Sequence, residues 1–596
     1  MSRRFLGLLI LGLLSCKHVP APDAEAPPAD RTKAGFPTEQ ALAKLARTEL
    51  PTDFGADSAG LEVERWTLTG PFPTGWQEPH PNEGTLPRAL AQAWAPSEGR
   101  RLSLGMFCTA REVGLFHVKH GQLPTPLLRD FIGARCRAAD SQFAIQVLHW
   151  SFQGPPRTEL MLAEAEKKLP GLVRALPGTA MDYGIWFGVG EGRAVMVVTA
   201  GSPKVLISSS VLEGQVLKVQ GRVLTELQHL SGLVTRGTAG FGECEAELRA
   251  PNFEMACPID GADPQVWLDV VGQAPGRWVA TTLTSVIEAN TPGNTEYIGQ
   301  LSTATSTTPE GQVALRRALV NEIELARRMH ELPPLQLDLP QSEAIGQVTP
   351  YYFAGSVGAL PTSVTDQVAL GVQAGWKVQA PVRRGTFISS ASVGGGLGYL
   401  VGAMLARPSG RAAVLDPEAR RLAIGVFPAE GGFTGAIVAT YRVIDPAQAP
   451  QLEEKAWAAL QKGRAAFGRA AAERLPGLGD ENLEALRRAP SGDAHQTLQA
   501  LLNEAAARHV GQQVRGWSMD LDDPEDLAFP QELLSAEDLD CIFLLAHYRP
   551  AFEPWTRHVL FVLVPSYTTA RAPVGPQLPA TFASAQGQGA LQTTTR

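Results

Sequence analysis

Two histidine patterns are the first candidates for chemistry in this sequence. His117 and His120 lie three residues apart in a predicted helix, and this spacing puts two imidazoles on one helical face, where they can ligate a metal ion. No third ligand of matching spacing stands nearby, so the alternative interpretation is two surface histidines at a helix end. His330-Glu331 starts like the zinc motif H-E-x-x-H, but prolines at positions 333 and 334 prevent the helix that this motif requires. The sequence therefore predicts no metal ion.

Two glycine-containing segments resemble reactive loops without meeting their requirements. The segment Val393–Gly402 places a glycine-rich turn before a predicted helix. It lacks the Gly-Lys-Ser/Thr ending of a P-loop and the glycine spacing of a dinucleotide fingerprint. The segment Gly355–Gly358 contains a serine but lacks the first glycine of a nucleophile elbow. We therefore expect no cofactor and assign no catalytic residue.

The cysteines indicate an oxidising compartment. Beyond the N-terminal segment there are five, and none shows the C-x-x-C spacing of a zinc or thioredoxin-like site. Neighbours in sequence are the simplest pairs, so we predict disulfides Cys108 to Cys136 and Cys244 to Cys257, with free buried thiols as the alternative. Cys541 lies in an apolar run and is predicted to be a buried, inert thiol.

The first residues predict an export signal. Arg3 and Arg4 form a positive start, and Phe5–Leu14 is an apolar run shorter than the ~20 residues that span a membrane. The run ends in Leu-Leu-Ser followed by Cys16, which resembles the lipobox of bacterial lipoproteins and implies that Cys16 is lipidated. The alternative is an ordinary signal peptide cut nearby, in which this cysteine is incidental.

The segment after the lipobox supports this address. Residues 1–16 are the predicted lipoprotein signal peptide, and residues 17–55 are too poor in apolar side chains at their start to pack, so we predict a disordered tether. By resemblance to the lipoprotein sorting pattern, Lys17 favours the bacterial outer membrane. The protein is then expected to be attached to that membrane through its lipid anchor, with its folded part in the periplasm or at the cell surface.

The composition excludes some classes of function. The net charge is −8, with 52 basic and 60 acidic residues and no long basic run, so nucleic acid is not an expected partner. The chain has 596 residues, which corresponds to roughly three to five domains. Its 59 glycines and 46 prolines favour a turn-rich, partly β architecture over long helical bundles.

The predicted elements divide into several folded units, so the fold class is multidomain α+β. Residues 56–175 mix helices and a strand in an N-terminal α+β domain. Residues 176–300 contain short β runs separated by Gly and Pro at regular spacing, which predicts an immunoglobulin-like β-sandwich. Residues 446–566 form a C-terminal α+β domain, and residues 567–596 are predicted to be a disordered tail.

The most informative segment lies at 309–445. Asn321 in a helix, the run Leu332–Asp338 and the later run Met404–Pro417, followed by two predicted strands, resemble in order the motifs of the CAP superfamily of SCP-like extracellular domains. The resemblance implies an α-β-α sandwich for this unit, which follows the β-sandwich and precedes the C-terminal domain.

The departures from the family concern its cleft. Many members line it with two histidines and two acidic residues that bind a divalent metal. Here Gln347 stands at the first histidine position, and a glycine between Ser409 and Arg411 stands at the second. Glu343 is the only nearby carboxylate of note, and a solvated helix residue is the alternative interpretation. The candidate cleft residues are therefore Glu343, Gln347, Ser409 and Arg411, and the cleft is expected to be metal-free.

A loop in the C-terminal domain concentrates aromatic residues and arginines. Tyr548, Trp555 and Arg557 lie within ten positions of each other, and such clusters often mark contact surfaces. The alternative is a loop that packs on its own domain. We keep these three residues as a candidate contact loop.

One functional hypothesis follows from these features. The protein is predicted to be a non-catalytic lipoprotein of the cell envelope, in which a degenerate CAP-like domain binds a ligand or organises the surface. Its partner would be an unknown envelope protein or a lipid ligand. The alternatives are a secreted hydrolase of peptide, lipid or cell-wall substrates, and a carrier of lipid or sterol.

Overall fold

The computed structural model describes most of the predicted folded units, and the statements that follow concern the described residues alone. These are residues 42, 44–45, 60–73, 101–138, 140, 143–174, 176, 180–237, 240–275, 280–289, 295–299, 311–356, 359–393, 397–429, 433–489, 492–510, 512–521, 527–550, 553–567 and 591–594. The predicted signal peptide with Cys16, nearly all of the predicted tether and most of the predicted tail lie outside them. Within these ranges, no helix is both long and apolar enough to cross a bilayer.

The N-terminal unit is a four-stranded sheet with helices on both faces. After the short strand β1 (Arg65–Leu68), its elements are β2 (Arg101–Leu102), α1 (Leu104–His120), α2 (Pro126–Arg135), β3 (Ala144–Ser151), α3 (Thr158–Arg174), β4 (Asp182–Gly190) and β5 (Arg193–Gly201). The strand order is β2-β4-β5-β3, with β2 parallel to β4 and the other pairs antiparallel. Alternate residues of β5 point to opposite faces. Val195 and Val197 pack under α1 and α2, and Met196 and Val198 pack under α3.

A disulfide joins the two helices on one face of this unit. Cys108 in α1 and Cys136 at the end of α2 are bonded, as predicted, with Cα atoms 5.5 Å apart. Cys541 is a buried free thiol, and burial raises its pKa to about 12, so it stays protonated and inert at neutral pH. His117 is buried and His120 half-buried at the end of α1. Among the described residues, no group of three His, Cys, Asp or Glu side chains lies close enough to hold a metal ion.

Seven antiparallel strands form the next unit, the sandwich. They are β6 (Val205–Glu213), β7 (Val216–Val223), β8 (His229–Arg236), β9 (Gly242–Arg249), β10 (Asn252–Pro258), β11 (Gln265–Gln273) and β12 (Thr281–Ala289). Their order is β12-β11-β8-β9-β10-β7-β6. The strand β9 pairs with β8 at its start and with β10 further on, so it links two sheets. One sheet then groups the first, second, fifth and fourth strands, which is the immunoglobulin-like grouping. The predicted disulfide between Cys244 and Cys257 joins β9 to β10.

The boundary of the sandwich differs from the predicted 176–300. The strands at 182–201, which the regular spacing of β runs assigns to the sandwich, belong instead to the sheet of the N-terminal unit. The reason is that β5 is buried along nearly its whole length, as a strand covered by helices on both faces must be. At the other end, strand β13 (Thr295–Ile298) pairs with β1 and leaves the sandwich. The seven strands therefore span 205–289.

The middle unit repeats the helix-covered arrangement. Its elements are α4 (Gln312–Met329), β14 (Gln336–Leu337), α5 (Leu339–Ser356), α6 (Thr362–Ala374), β15 (Val382–Val393), α7 (Leu397–Ala406), α8 (Pro408–Val414), β16 (Arg421–Pro428) and β17 (Phe433–Val443). The strand order is β14-β16-β17-β15. Ile424 and Val438 pack under α4 and α7, whereas Ile437 and Ala439 pack under α5 and α6. The unit is therefore an α-β-α sandwich of three layers.

Part of the predicted tether packs on this unit. Residues 42, 44 and 45 are helical, and Leu42 is buried in the hydrophobic cluster under α5 and α6. At this point the prediction of disorder for 17–55 is wrong, because an apolar side chain in the later part of the segment finds a buried position.

The C-terminal unit has the same three layers. Its elements are α9 (Ala449–Ala466), β18 (Glu473–Arg474), α10 (Glu481–Arg488), α11 (Ala494–Arg508), β19 (Gln512–Leu521), α12 (Gln531–Ser535), β20 (Asp540–Tyr548) and β21 (Arg557–Tyr567), with β22 (Leu591–Thr594). The order is β18-β20-β21-β19-β22. The strand β22 pairs with β19 in the tail predicted to be disordered, so that prediction is wrong for these four residues. These residues form backbone hydrogen bonds at the edge of the sheet, and the composition of the tail did not indicate a strand there.

The three helix-covered sheets share one topology. In each, a strand of two residues lies parallel to the first strand of the closing hairpin, and the remaining long strand pairs with the second strand of that hairpin. The middle and C-terminal units share a further detail, a fully buried arginine near the end of the first helix. Arg327 donates from Nε to the carbonyl of Pro333 at 3.0 Å, and Arg464 donates in the same way to Ala470 at 2.9 Å. Each guanidinium also donates to carbonyl oxygens ahead of the hairpin.

Candidate functional site

The four candidate cleft residues do not come together. Glu343 and Gln347 are exposed on α5. This helix packs on the face of the sheet that carries Ile437. Ser409 and Arg411 lie on α8, which packs on the opposite face through Val414. The sheet separates the two pairs, so the cleft that the sequence predicts from these residues is not formed.

Ser409 and Arg411 instead hold parts of the structure together. Arg411 is buried and donates from Nε to the carbonyl of Leu405 at 2.7 Å. The backbone N–H of Ser409 donates to the carboxylate of Asp269 in the sandwich at 3.2 Å. Both contacts are structural, and Arg411 is buried whereas Ser409 is half-buried.

The neighbouring Arg407 completes a contact among three units, which we call the Arg407 junction. Its Nη1 lies 3.2 Å from Oδ2 of Asp130 in the N-terminal unit. Asp269 of the sandwich accepts from Ser285 at 2.7 Å as well as from the backbone of Ser409. The space left at this junction is a cavity of about 10 Å³, about the size of one water. Charges of both signs therefore fill the junction.

The candidate contact loop packs against the middle unit of the same chain. The indole Nε1 of Trp555 donates to the carbonyl of Gln373 at 3.0 Å, and the backbone N–H of Thr556 donates to Val382 at 2.7 Å. Gln373 lies at the end of α6, close to Gly385 of β15. Only glycine fits there, because a Cβ would lie 2.1 Å from the Gln373 oxygen. Tyr548 is buried within its own unit and donates to Asp520 at 3.2 Å. The loop therefore joins two units.

A cavity opens where the loop meets the middle unit, and we call it the seam cavity. Its volume is about 190 Å³. Four arginines line it, together with Trp555, His558, Leu521 and Thr556. The arginines are Arg383, Arg384, Arg442 and Arg557. Among the described lining residues, none is acidic.

An irregularity in β15 brings two consecutive arginines to the cavity. Successive side chains of a strand normally point to opposite faces. Here the register shifts between Val382 and Arg384, and Arg383 falls in the shift, so both arginines line the same space. Arg384 also lies directly opposite Arg442 on β17. Like charges in directly opposite strand positions are destabilising, by about 0.2 to 1 kcal/mol.

Carboxylates outside the cavity lining contact at least three of these arginines. Arg384 is 3.8 Å from Glu243. Arg442 is 2.7 Å from both Asp416 and Glu418. Arg557 is 2.6 Å from Glu553 and 3.6 Å from Asp520. These ion pairs hold the guanidinium groups in place from the side that faces away from the cavity. Each guanidinium has five N–H donors, so an oxygen in the cavity can still be bound.

His558 adds a neutral group to the cavity wall. It is 8% exposed, and its Nε2 is buried with no hydrogen-bond partner among the described residues. Burial, with smaller contributions from His547 and Arg383, lowers its pKa to about 4. At neutral pH the imidazole is therefore uncharged, and it adds no charge to the cavity wall.

Two of the predicted contact residues lie in the lining of the seam cavity. They are Trp555 and Arg557. The sequence-based prediction missed Arg383, Arg384 and His558, because their convergence depends on contacts between two units. The pair of consecutive arginines, Arg383 and Arg384, is the one sequence signal that could have indicated it.

The comparisons with known proteins find little. No protein-family model matches the chain, and no curated protein matches it. A cysteine-rich secretory protein from Staphylococcus aureus subsp. aureus Mu50 is similar with 10% identity and a TM-score of 0.17, over 40% of this chain and 85% of that chain. An extracellular protein containing a SCP domain from Bacillus anthracis str. Ames is similar with 13% identity and a TM-score of 0.17, over 43% of this chain and 81% of that chain.

Proposed function

We propose that the protein is a non-catalytic binding protein of the bacterial cell envelope and that the seam cavity binds an anionic ligand. The observation that carries this proposal is the convergence of four arginines on one space with no acidic residue in its described lining. Arginine presents a planar fork of donors that matches carboxylate and phosphate oxygens. An anion in the cavity would also relieve the repulsion between Arg384 and Arg442.

The middle unit supplies the frame for this site. Its resemblance at 309–445 and its three layers support a degenerate CAP-like domain, whose usual histidine positions carry Gln347 and a glycine. The binding residues then lie at the contact between the β15 edge of this domain and the C-terminal unit. In this proposal the domain serves recognition, and the second unit completes the site.

Binding of small anions to the purified full-length protein tests the proposal. Isothermal titration calorimetry at constant ionic strength would use sulfate, phosphate and citrate. We expect at least one to bind, and we expect Arg383→Gln combined with Arg384→Gln to weaken that binding at least tenfold. Arg488→Gln is the matched control, because that side chain is 81% exposed and lies outside the cavity. Absence of binding, or an equal loss in the control, would contradict the proposal.

We further propose that Cys16 is lipidated and that the protein is attached to the outer membrane. The support is the lipobox-like end of the apolar run and Lys17 after it. Cell fractionation of Cys16→Ser tests this location. The variant is expected to leave the membrane fraction, and its retention there would count against a lipid anchor.

A further inference from the structure

We infer that the seam cavity recognises a terminal phosphate group, a phosphate monoester at the end of a sugar or of a lipid headgroup, in preference to a carboxylate. This inference rests on the proposed function and specifies its ligand. It depends on the directions from which the arginines arrive, the size of the cavity and the uncharged part of its wall.

The protein contains its own example of carboxylate recognition by arginine. Arg101 donates from Nε and Nη2 to the two oxygens of Asp182, at 2.6 and 2.8 Å. One guanidinium thus satisfies the planar carboxylate through two parallel hydrogen bonds. A single carboxylate therefore needs one arginine. The seam cavity is lined by four, of which Arg384, Arg442 and Arg557 also contact carboxylates outside the lining.

The four arginines arrive from three strands in two units. Arg383 and Arg384 come from the irregular start of β15, Arg442 from β17 and Arg557 from the start of β21. Donors that converge from several directions suit a tetrahedral group with three terminal oxygens. A phosphate monoester has this shape and carries a charge of about −1.5 to −2 at pH 7. The charge of a phosphate monoester also offsets more of the repulsion between facing guanidinium groups than the single charge of a carboxylate does.

The rest of the cavity suits the group that carries the phosphate. The volume of about 190 Å³ is below the ~300 Å³ at which cavities for drug-sized ligands begin, so the site takes the end of a larger molecule. The imidazole of His558 adds an uncharged polar ring to the lining. Leu521 and the indole of Trp555 offer apolar surface beside it.

A matched set of ligands separates phosphate from carboxylate. Calorimetry on the purified full-length protein would compare glucose 6-phosphate, glucuronate and glucose, which share a ring and differ in the group at C6. We expect glucose 6-phosphate to bind at least tenfold more tightly than glucuronate and glucose to show no binding. Equal affinity of glucuronate would overturn the phosphate inference and leave the proposed anion site intact. Absence of binding by both anions would count against both proposals.

Variants locate the binding in the cavity. Arg384→Gln is expected to weaken glucose 6-phosphate binding at least tenfold. Arg384→Lys, which keeps the charge but loses the planar fork, is expected to weaken it less. Arg488→Gln serves as the control and should have no effect. Circular dichroism of each variant checks the fold. Unchanged affinity in a folded Arg384→Gln protein would place the phosphate elsewhere and overturn the inference.

Vesicles distinguish the two sources of a terminal phosphate. Phosphatidic acid carries a phosphate monoester, whereas phosphatidylglycerol carries a diester of similar surface charge. If the ligand is a lipid headgroup, the protein should bind phosphatidic acid vesicles in preference, and Arg384→Gln should remove that preference. If it is a soluble phosphosugar, glucose 6-phosphate alone should bind. Equal binding to both vesicles together with weak glucose 6-phosphate binding would refute the inference.

Discussion

The seam cavity and the Arg407 junction both bring arginines to a contact between folded units, and they differ in what faces the guanidinium groups. At the junction, Arg407 meets Asp130, Asp269 lies close by, and the remaining space is about 10 Å³. At the seam, Arg384 faces Arg442 and the space is about 190 Å³. The first contact is complete in itself, because its charges are paired. At the second, four arginines also line an open space, although carboxylates outside the lining contact at least three of them.

The largest expected effect is at the junction. Arg407→Met should lower the free energy of unfolding by about 2 to 3 kcal/mol, because it leaves the half-buried Asp130 without its ion-pair partner. Urea unfolding measures this loss. Arg488→Met is the exposed control and should change stability by less than about 0.5 kcal/mol. A loss below about 1 kcal/mol for Arg407→Met would remove the distinction between the two regions.

The next effect is a pH dependence at the seam. The pKa of His558 is lowered to about 4 by burial, so the folded protein binds fewer protons than the unfolded chain between pH 6.5 and 4. Its contribution is therefore present above pH 6.5 and is lost as the pH falls towards 4, by about 2 kcal/mol at pH 4.5. Thermal unfolding of wild type and His558→Phe from pH 7.5 to 4.5 measures it. A variant that loses as much stability as wild type would contradict this assignment.

A smaller effect of the opposite kind is expected for an arginine of the cavity. Arg384→Met should leave the free energy of unfolding within about 0.5 kcal/mol of wild type, or raise it, because it removes a like-charge neighbour of Arg442. Its contact with Glu243 at 3.8 Å is exposed and contributes little. Urea unfolding beside Arg407→Met makes the comparison direct. A loss similar to that of Arg407→Met would mean that the cavity arginine is structural.

The smallest effect concerns a carboxylate behind the cavity. Glu553→Gln breaks a partly exposed pair with Arg557 at 2.6 Å, so stability should change by less than about 0.5 kcal/mol. Removing this competitor frees donors of Arg557, and the affinity for glucose 6-phosphate should rise slightly. Calorimetry measures both variant and wild type. Weaker binding in Glu553→Gln would show that the pair positions Arg557 for the ligand.

Local patterns predicted local structure well. The apolar run that holds Cys541 predicts a buried thiol, and Cys541 lies buried in β20. Both disulfides follow from adjacent cysteines in sequence, because each joins elements that are also neighbours in space. Runs of apolar residues and caps act over a few positions, and sequence alone displays them.

Unit boundaries and the site could not be predicted in the same way. The two-residue strands Arg101–Leu102 and Glu473–Arg474 are too short to form a pattern, although they define the shared topology. The spacing of β runs does not change at residue 201, so it could not reveal where one sheet ends. Arg384 and His558 are 174 positions apart, and only the docking of the C-terminal unit on the middle unit brings them to one cavity.

The strand β22 affects how readily the C-terminal sheet can pair with strands of other molecules. Its backbone pairs with Arg515–Ser518 and so covers one margin of the C-terminal sheet. A chain shortened after Tyr567 would leave the N–H and C=O groups of this edge unpaired. An exposed edge strand of this kind can pair with strands from other molecules. Deletion of residues 568–596 is therefore expected to expose this edge. Size-exclusion chromatography at rising concentration should then show more higher-order species for the shortened chain than for the full chain.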